Sequence, residues 1–466
     1  MENLKPSRVF YYFQKLMEIP RPSGHEKEVS DFLIETGKKL GLKTYQDKAL
    51  NVILKRDASK GYENSPKVVL QGHMDMVGAK ASGSNHDFEK DPIVPVIQYG
   101  YLKAKDTTLG ADNGIAVAMG LALLEDENYQ GPQLELLVTT DEETSMSGAL
   151  NLEKGVLEGN YLINLDSEEE GILTVGSAGG LTVFIEEDLS QLEEKDGFEV
   201  YLHGLKGGHS GMEIDDNRGN SVKILGDFLS MLGEEITIGE FNSGTLDNVI
   251  PSEGRVKVFG TTLEKLKEVK EEVIKKYSDV SEEIAIEISE SKGESYSKEL
   301  SQRLIQMIEE MPTGVNSKMD NSDTVESSNN LAFIKQRDNK LLSEISLRSS
   351  DNEVLESLRK KIVKVVEKYG FSYRIGSQYP GWEYNEDSKL RPLAQQLYKE
   401  MEGKDFETIV VHAGLECGAI YEKYPNMDII SIGPNITGAH SIKEQVEIES
   451  VKRVNDYLVE LLKRIK

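Results

Sequence analysis

The sequence predicts an α/β protein in which a mostly parallel sheet, covered by helices, is interrupted by an inserted α+β domain. Strand-length runs rich in Val, Ile and Leu, "KVVLQ" (67–71), "LELLVTT" (134–140), "YLINLD" (161–166) and "DIISIG" (428–433), are bounded by Gly, Pro or acidic residues. Segments with helical apolar spacing separate them, an alternation that favours parallel strands buried on both faces. The texture changes near residue 180 and returns after "GSQYPGWEYNEDS", so the two ends of the chain are expected to build one domain around another.

In chain order, residues 6–18 and 25–40 carry apolar positions at helical spacing, and "GIAVAMGLALLEDE" (114–127) is an apolar helix packed on something large. After the Gly-rich "HGLKGGHSGMEI", charged helices such as "TTLEKLKEVKEEVIKKY" and "DNEVLESLRKKIVKVVEKYG" alternate with amphipathic strands such as "EEIAIEIS" and "KLLSEISLRS". A helix near 389–402 and the "DIISIG" strand restore the first pattern. The expected boundaries are 1–178 plus 381–466 for the outer domain and 179–380 for the insertion. A chain of 466 residues is long for a single core, in keeping with two domains.

Composition excludes several partners. With 54 Lys and Arg against 81 Asp and Glu, the formal charge of −27 opposes binding to nucleic acid or anionic lipid. Cys417 is the only cysteine, which rules out an intrachain disulfide and suits a reducing compartment. The N-terminal "MENLKPSRVFYYFQKLMEIP" has no apolar signal core, and no apolar run approaches a membrane span. The expectation is a cytoplasmic protein.

Polar residues gather where the predicted strands end. His73 and Asp75 follow the first, Asp112 in "TTLGADNG" precedes a helix, Glu142 and Glu143 follow the next strand, Asp166 ends another, and His440 in "GPNITGAHS" follows the last. Taken singly, each is ordinarily a capped or solvated group. In an open parallel sheet, however, the carboxyl ends of the strands lie on one edge, where ligands bind, so these groups become neighbours. Carboxylates brought together this way repel and lose solvation unless cations compensate them or some are protonated. Two His with several carboxylates form a nitrogen and oxygen donor set suited to Zn, Mn or Co. One carboxylate can bridge two ions about 3.5 Å apart, and a water between them becomes a nucleophile near neutral pH.

Other motifs are weaker. "HEKEV" (25–29) lacks the second His of the helical zinc motif, so His25 reads as a surface residue. "DSEEEG" (166–171) opens like a calcium loop but has Ser177 at its twelfth position. "GGHSG" (207–211) does not fit the G-x-S-x-G nucleophile motif, and its plain reading is a turn, with His209 open to a functional role. Cys417 with His412 could suggest a thiol hydrolase, but a single Cys beside Gly is more often a small buried residue.

The ordered set "GHMDMV", "TTLGADNGIAVA", "TTDEE", "NLDSEEEG", "LKGGHSG", "GTLDNVIP", "HAGLECG" and "GPNITGAHS" resembles the aminoacyl-histidine dipeptidases over nearly the full length. These are co-catalytic zinc peptidases related to aminoacylase, carnosinase and glutamate carboxypeptidase. The resemblance implies a di-metal catalytic domain carrying an inserted lid that also mediates homodimerisation. It assigns His73, Asp112 and Asp166 to one ion and Asp112, Glu143 and His440 to the other, with Asp112 bridging. Asp75 would hold the His73 ring, and Glu142 would be the general base for a water held between the ions. His209 would reach the partner subunit's active site, while Asn248 and Arg348 would hold the substrate or its C-terminal carboxylate.

The implied activity is hydrolysis of unblocked dipeptides, Xaa-His such as carnosine among them. One departure stands out: "TSMSG" follows the Glu pair where many relatives carry small residues, which puts specificity in doubt. A rival reading is a deacylase or carboxypeptidase acting on N-acyl amino acids. A dipeptidase instead needs an acidic partner for a free ammonium, for which Glu416 or the "SEEE" acids are the candidates. A non-catalytic metal-binding scaffold is a further rival, but such a protein would have no need of Glu142.

Overall fold

Val68, Val69 and Leu70 are all buried, as a strand covered on both faces requires, and their side chains alternate between two apolar clusters. The computed structural model describes residues 1, 3–190, 192–319 and 323–466. It divides into two compact units, one made of Met1–Gly176, Trp382–Val410 and Leu415–Lys466, the other of Ser177–Gly381 and Val411–Gly414.

The first unit is built on an eight-stranded sheet ordered Lys43–Gln46, Val52–Arg56, Leu134–Thr139, Val68–His73, Tyr161–Asn164, Asp428–Ser431, Ile172–Ser177 and Glu407–Val411. The α/β expectation holds, with a refinement. Val68–His73 pairs in parallel with Leu134–Thr139 and Tyr161–Asn164, and Asp428–Ser431 pairs in parallel with Tyr161–Asn164. The flanking pairs at Lys43–Gln46, Val52–Arg56 and Ile172–Ser177 are antiparallel. Parallel pairing is thus concentrated in the centre, where helices cover both faces and the strands are the most apolar.

One face is covered by the helices Ser7–Met17, Ala111–Glu125, Leu390–Glu402 and Ile448–Arg464. Ala111–Glu125 is buried almost all round, which explains a sequence with no polar stripe. The other face carries a smaller cluster around Trp382, Ile420 and Ile429. Cys417 belongs to it and is fully buried, so it is a packing residue.

The second unit is a nine-stranded antiparallel sheet with a second repeating logic. Eight of its strands run in the order Ala285–Ser295, Glu193–His203, Gly254–Phe259, Thr237–Gly244, Val325–Arg337, Lys340–Ser349, Gly179–Asp188 and Ser372–Tyr379, and Gly314–Lys318 pairs with Val325–Arg337 off that path. The first four strands with helices Ser221–Met231 and Leu263–Lys276 follow a β-α-β-β-α-β course. The last four with helices Lys298–Glu310 and Asn352–Lys368 follow the same course, with the first half inserted after its opening strand. The two halves meet edge to edge where Thr237–Gly244 pairs with Val325–Arg337. Joining two sheet edges within one chain removes both as pairing sites. No helix among the described residues is long and apolar enough to cross a membrane.

Candidate metal centre

Parallel pairing brings the carboxyl ends of four strands to one edge of the first unit. His73 is the last residue of its strand, Glu142 and Glu143 begin a short helix after Leu134–Thr139, and Asp166 lies just beyond Tyr161–Asn164. Asp112 is in the first turn of Ala111–Glu125, and His440 follows the Asp428–Ser431 strand in a left-handed conformation, φ 59°.

The geometry centres on Asp112. Its Oδ1 lies 3.0 Å from His73 Nε2, and its Oδ2 lies 3.2 Å from His440 Nε2. Asp166 Oδ1 is 3.4 Å from His73 Nε2, and Glu143 Oε2 is 2.8 Å from His440 Nε2. One carboxylate therefore faces both imidazoles, and each imidazole has a second carboxylate of its own. Glu142 Oε2 stands 3.9 Å from His73 Nε2.

A neighbouring set of residues holds this arrangement. Asp75 is fully buried; its Oδ1 is 3.3 Å from His73 Nδ1 and accepts from the Glu142 N–H at 3.1 Å. Its Oδ2 accepts from the Glu143 N–H at 3.2 Å and from Ser23 Oγ at 2.8 Å. One side chain thus aims the His73 ring and anchors the turn that presents both glutamates. Burial opposes its charge, but His73, Ser23 and the Glu142 N–H together hold its pKa below the ordinary carboxylate value.

The "TSMSG" departure has a structural explanation. Asp141 adopts a left-handed conformation, φ 55°, just before Glu142, and its carboxylate accepts hydrogen bonds from Thr144 Oγ1, Ser145 Oγ and Ser147 Oγ. A left-handed Asp costs roughly 1–2 kcal/mol, and each such hydrogen bond to a charged group returns a similar amount. The extra hydroxyls therefore stabilise the turn and are bonded to Asp141 instead of the Glu142 carboxylate.

Three supporting residues gave no sequence signal. Glu444 accepts from the N–H groups of Leu109, Gly110 and Ala111 at 2.7, 3.0 and 2.8 Å and from that of Asp112 at 3.3 Å, satisfying the donors at the start of the apolar helix. Buried Arg21 donates to the carbonyls of Met74, Asp75 and Gly110, tying the His73 strand end to the Asp112 loop. Buried Glu26 accepts from the Asp141 N–H at 3.1 Å. Each comes from a distant stretch, and only the fold brings it to the cluster.

The cluster fits a pair of divalent cations. His73, Asp112 and Glu143 offer donor atoms all within 4.8 Å of one another. Glu143 Oε1 is buried with no hydrogen-bond partner, and Asp166 Oδ1 has only the His73 ring at 3.4 Å, an expensive state for carboxylates unless a cation takes them. Hydrogen bonds donated to Asp112 and Glu143 push His440 up to about 11. Burial opposes charge on His73, yet Asp166, Asp112 and Asp75 outweigh it and hold its pKa well above the ordinary value. Protons on the imidazoles thus stand where cations would, and metal binding would release them. Burial, reinforced by Asp166, Glu416 and Glu143 against the pull of His73, raises Glu142 well above the carboxylate range. Added positive charge would lower it toward the range a base needs.

Glu416 does not fit the expected ammonium contact. It is fully enclosed, with Oε2 accepting from Gln71 Nε2 at 2.6 Å and Thr139 Oγ1 at 2.5 Å. Burial raises it to about 8, so it is largely a protonated acid at neutral pH, without a surface to offer a substrate. Of the "SEEE" acids, Glu168 and Glu169 are exposed.

In the second unit, His209 pairs with Val249 in a short ladder beside Asn248, whose carbonyl accepts from the Ser210 N–H at 2.8 Å. The N–H groups of Gly211 and Met212 both donate to His209 Nδ1 at 3.2 Å, which leaves the ring proton on Nε2. Burial and then Arg348 lower its pKa, so it is a neutral donor. Arg348 Nη1 donates to the Tyr379 hydroxyl at 3.1 Å. His25 is exposed on the surface.

Comparisons with known proteins show the family and the fold. A family model described as peptidase family M20/M25/M40 matches residues 69–464. The chain is 36% identical to the cytosol non-specific dipeptidase of Escherichia coli K12, covering 100% of this chain and 99% of that protein. It superposes on the crystal structure of the aminoacylhistidine dipeptidase from Vibrio alginolyticus with a TM-score of 0.90 and 34% identity, covering 100% and 98% of the two chains. An aminopeptidase from Bacillus cereus, 15% identical, shares the fold at a TM-score of 0.59 over 99% of both chains.

Proposed function

The chain belongs to peptidase family M20/M25/M40 and is a metal-dependent peptide-bond hydrolase acting on dipeptides, and from that premise we propose the roles of its residues. His73, Asp112 and Asp166 hold one ion and Asp112, Glu143 and His440 the other, the ions being zinc or, alternatively, manganese or cobalt. The observation that carries this reading is Asp112, with one oxygen 3.0 Å from His73 and the other 3.2 Å from His440. When bound, the two ions supply Lewis acidity toward the scissile carbonyl and lower the pKa of the attacking water.

The chain's own residues do the rest. Glu142 accepts the proton of the attacking water and delivers it to the leaving amine. Asp75 keeps the His73 ring in one orientation and fixes the backbone of both glutamates. His209, neutral with its proton on Nε2, donates to the oxyanion that develops on the carbonyl oxygen. Arg348 takes the substrate's C-terminal carboxylate, and Asn248 is assigned to the same role. The free ammonium is assigned to the exposed Glu168 in place of the enclosed Glu416. The E. coli relative carries a cytosolic name, which supports a cytoplasmic setting.

His209 is assigned to the active site of a partner subunit, in a homodimer formed through the inserted unit.

The test is an assay of metal-reconstituted protein on carnosine, a broad dipeptide set and N-acetylated dipeptides. Cleavage confined to free-amino dipeptides is expected, whereas preference for the acetylated forms would favour the deacylase reading. Mixing a His209→Ala chain with an Asp112→Ala chain should recover turnover beyond the sum of the two. Absence of recovery would count against the role of His209 across a homodimer.

A further inference from the structure

The inserted unit carries a row of residues across four neighbouring strands. Ser328 lies opposite Arg348, Arg348 opposite Gly180, and Gly180 opposite Tyr379, so the four share one face of the sheet. The row has a purpose legible in its one missing side chain. A Cβ on Gly180 would meet the Tyr379 ring at 2.9 Å from Cε1, and one on Gly414 would meet Cε2 at 2.6 Å. Only glycine at both places lets the ring lie across the strand and bring its hydroxyl to Arg348 Nη1 at 3.1 Å.

On the other side of Arg348, Ser328 Oγ is 2.7 Å from His412 Nε2. His412 belongs to the Val411–Gly414 segment of the same unit, whose backbone is pinned by the Ala178 N–H donating to the carbonyls of Val411 and Ala413 at 2.9 and 3.1 Å. Burial and Arg348 lower His412 to about 4, so the ring is neutral at pH 7 and carries one proton. With the serine hydroxyl donating to Nε2, that proton is on Nδ1.

Two donors in this group have no partner. Arg348 Nε and His412 Nδ1 are both buried and unbonded, and no carboxylate among the described residues lies within ion-pair distance of Arg348. Buried donors left unpaired cost about 1–3 kcal/mol each, more beside a charge, so each calls for a partner. The Tyr379 hydroxyl accepts from Arg348, so its own proton is also free to be donated. The group therefore offers N–H from Arg348, N–H from His412 and O–H from Tyr379, with a positive charge and no anion. A carboxylate, with about four acceptor positions on two oxygens, matches it.

We propose that His412 and Tyr379 complete, with Arg348, the pocket for the dipeptide's C-terminal carboxylate, and so determine the preference for a free C-terminus. Ser328 acts through His412 as a positioning residue that selects its tautomer. This inference rests on the dipeptidase reading above and adds the residues that select for a free carboxylate.

The test compares alanyl-alanine with alanyl-alaninamide, which differ only at that group. Binding of each is measured by calorimetry in the Glu142→Gln background, so no turnover is required, and kcat and KM are measured in otherwise unaltered metal-loaded enzyme. His412→Ala is expected to cut the acid-over-amide preference by about 10- to 100-fold, and Tyr379→Phe by about 10-fold, the range for a hydrogen bond to a charged group. The effect should fall on affinity and KM more than on kcat. His412→Asn, whose amide nitrogen can stand where Nδ1 stood, should restore most of the preference. Equal loss for acid and amide would mean that His412 is only structural and would overturn the proposal, as would an unchanged preference in both variants. Absence of hydrolysis of either compound by the unaltered enzyme would count against the dipeptidase reading, while the calorimetric ratio would still decide the role of His412.

Discussion

The two polar clusters of this protein are unbalanced in opposite directions. In the first unit, Asp112, Glu142, Glu143 and Asp166 surround only His73 and His440, and the carboxylate oxygens Glu143 Oε1 and Asp166 Oδ1 are left without a hydrogen-bond donor. In the inserted unit, Arg348 has no carboxylate within ion-pair distance among the described residues, and its Nε and His412 Nδ1 are left without a hydrogen-bond partner. A fold that selected only for stability would pair such groups internally, because an unpaired buried charge costs several kcal/mol. The contrast matches the proposed roles, cations for the first cluster and a substrate carboxylate for the second.

The largest effect expected from breaking this contrast is at Glu142, the one carboxylate of the first cluster assigned to proton transfer instead of metal. Glu142→Gln removes the proton acceptor and keeps the shape, so kcat should fall by about 10²- to 10⁴-fold. Metal content, measured by elemental analysis, should stay near that of the unaltered protein, because the assigned ligands remain. Loss of metal together with activity would make Glu142 a ligand and would redraw the acceptor set.

A smaller effect is expected from Asp75, which touches His73 and the backbone of both glutamates. Asp75→Asn should weaken metal binding by about 10- to 100-fold, the range for residues that orient a ligating histidine. Competition with a chelating dye reads this directly. Unchanged affinity would mean that the buried His73 ring is held by packing alone.

Much of the first cluster was legible in the sequence. His73, Asp112, Glu143 and Asp166 each follow a short apolar run or open a helix, and strand ends in a parallel sheet share an edge, so local pattern implied proximity. What could not be read were groups whose meaning depends on enclosure. Glu416 reads as a substrate acid in "HAGLECG", yet it is sealed against Gln71 and Thr139, two strand residues far away in sequence. Glu444 and Arg21 lie 332 and 53 residues from the nearest residues they hold, so no spacing rule finds them. The matched halves of the inserted unit share a course of strands and helices but no visible repeat, because a sheet edge is specified by burial pattern and not by residue identity. His412 stood out only as a partner for Cys417. The fold separates their roles by burying Cys417 in an apolar cluster and hydrogen-bonding His412 to Ser328.

The smallest expected effect sharpens the second cluster through its pH dependence. His412 titrates at about 4 in the folded protein, against 6.5 for an ordinary histidine, because burial and Arg348 both disfavour its charged form. Between these values the unfolded chain binds more protons at this position than the folded one. Stability therefore rises with pH across the window from about 4 to 6.5, and the penalty at His412 is complete once pH falls below the folded value. An asparagine at this position does not titrate. Urea unfolding of the unaltered protein and of His412→Asn, at matched metal loading from pH 8 down to 4.5, isolates this contribution because the other acids and His209 are common to both. The difference in stability should be constant above pH 7 and move steadily against the unaltered protein as pH falls. A constant difference over the whole range would mean that His412 titrates alike folded and unfolded. The ring would then be well solvated, and its Nδ1 would not be the enclosed donor that a substrate carboxylate completes.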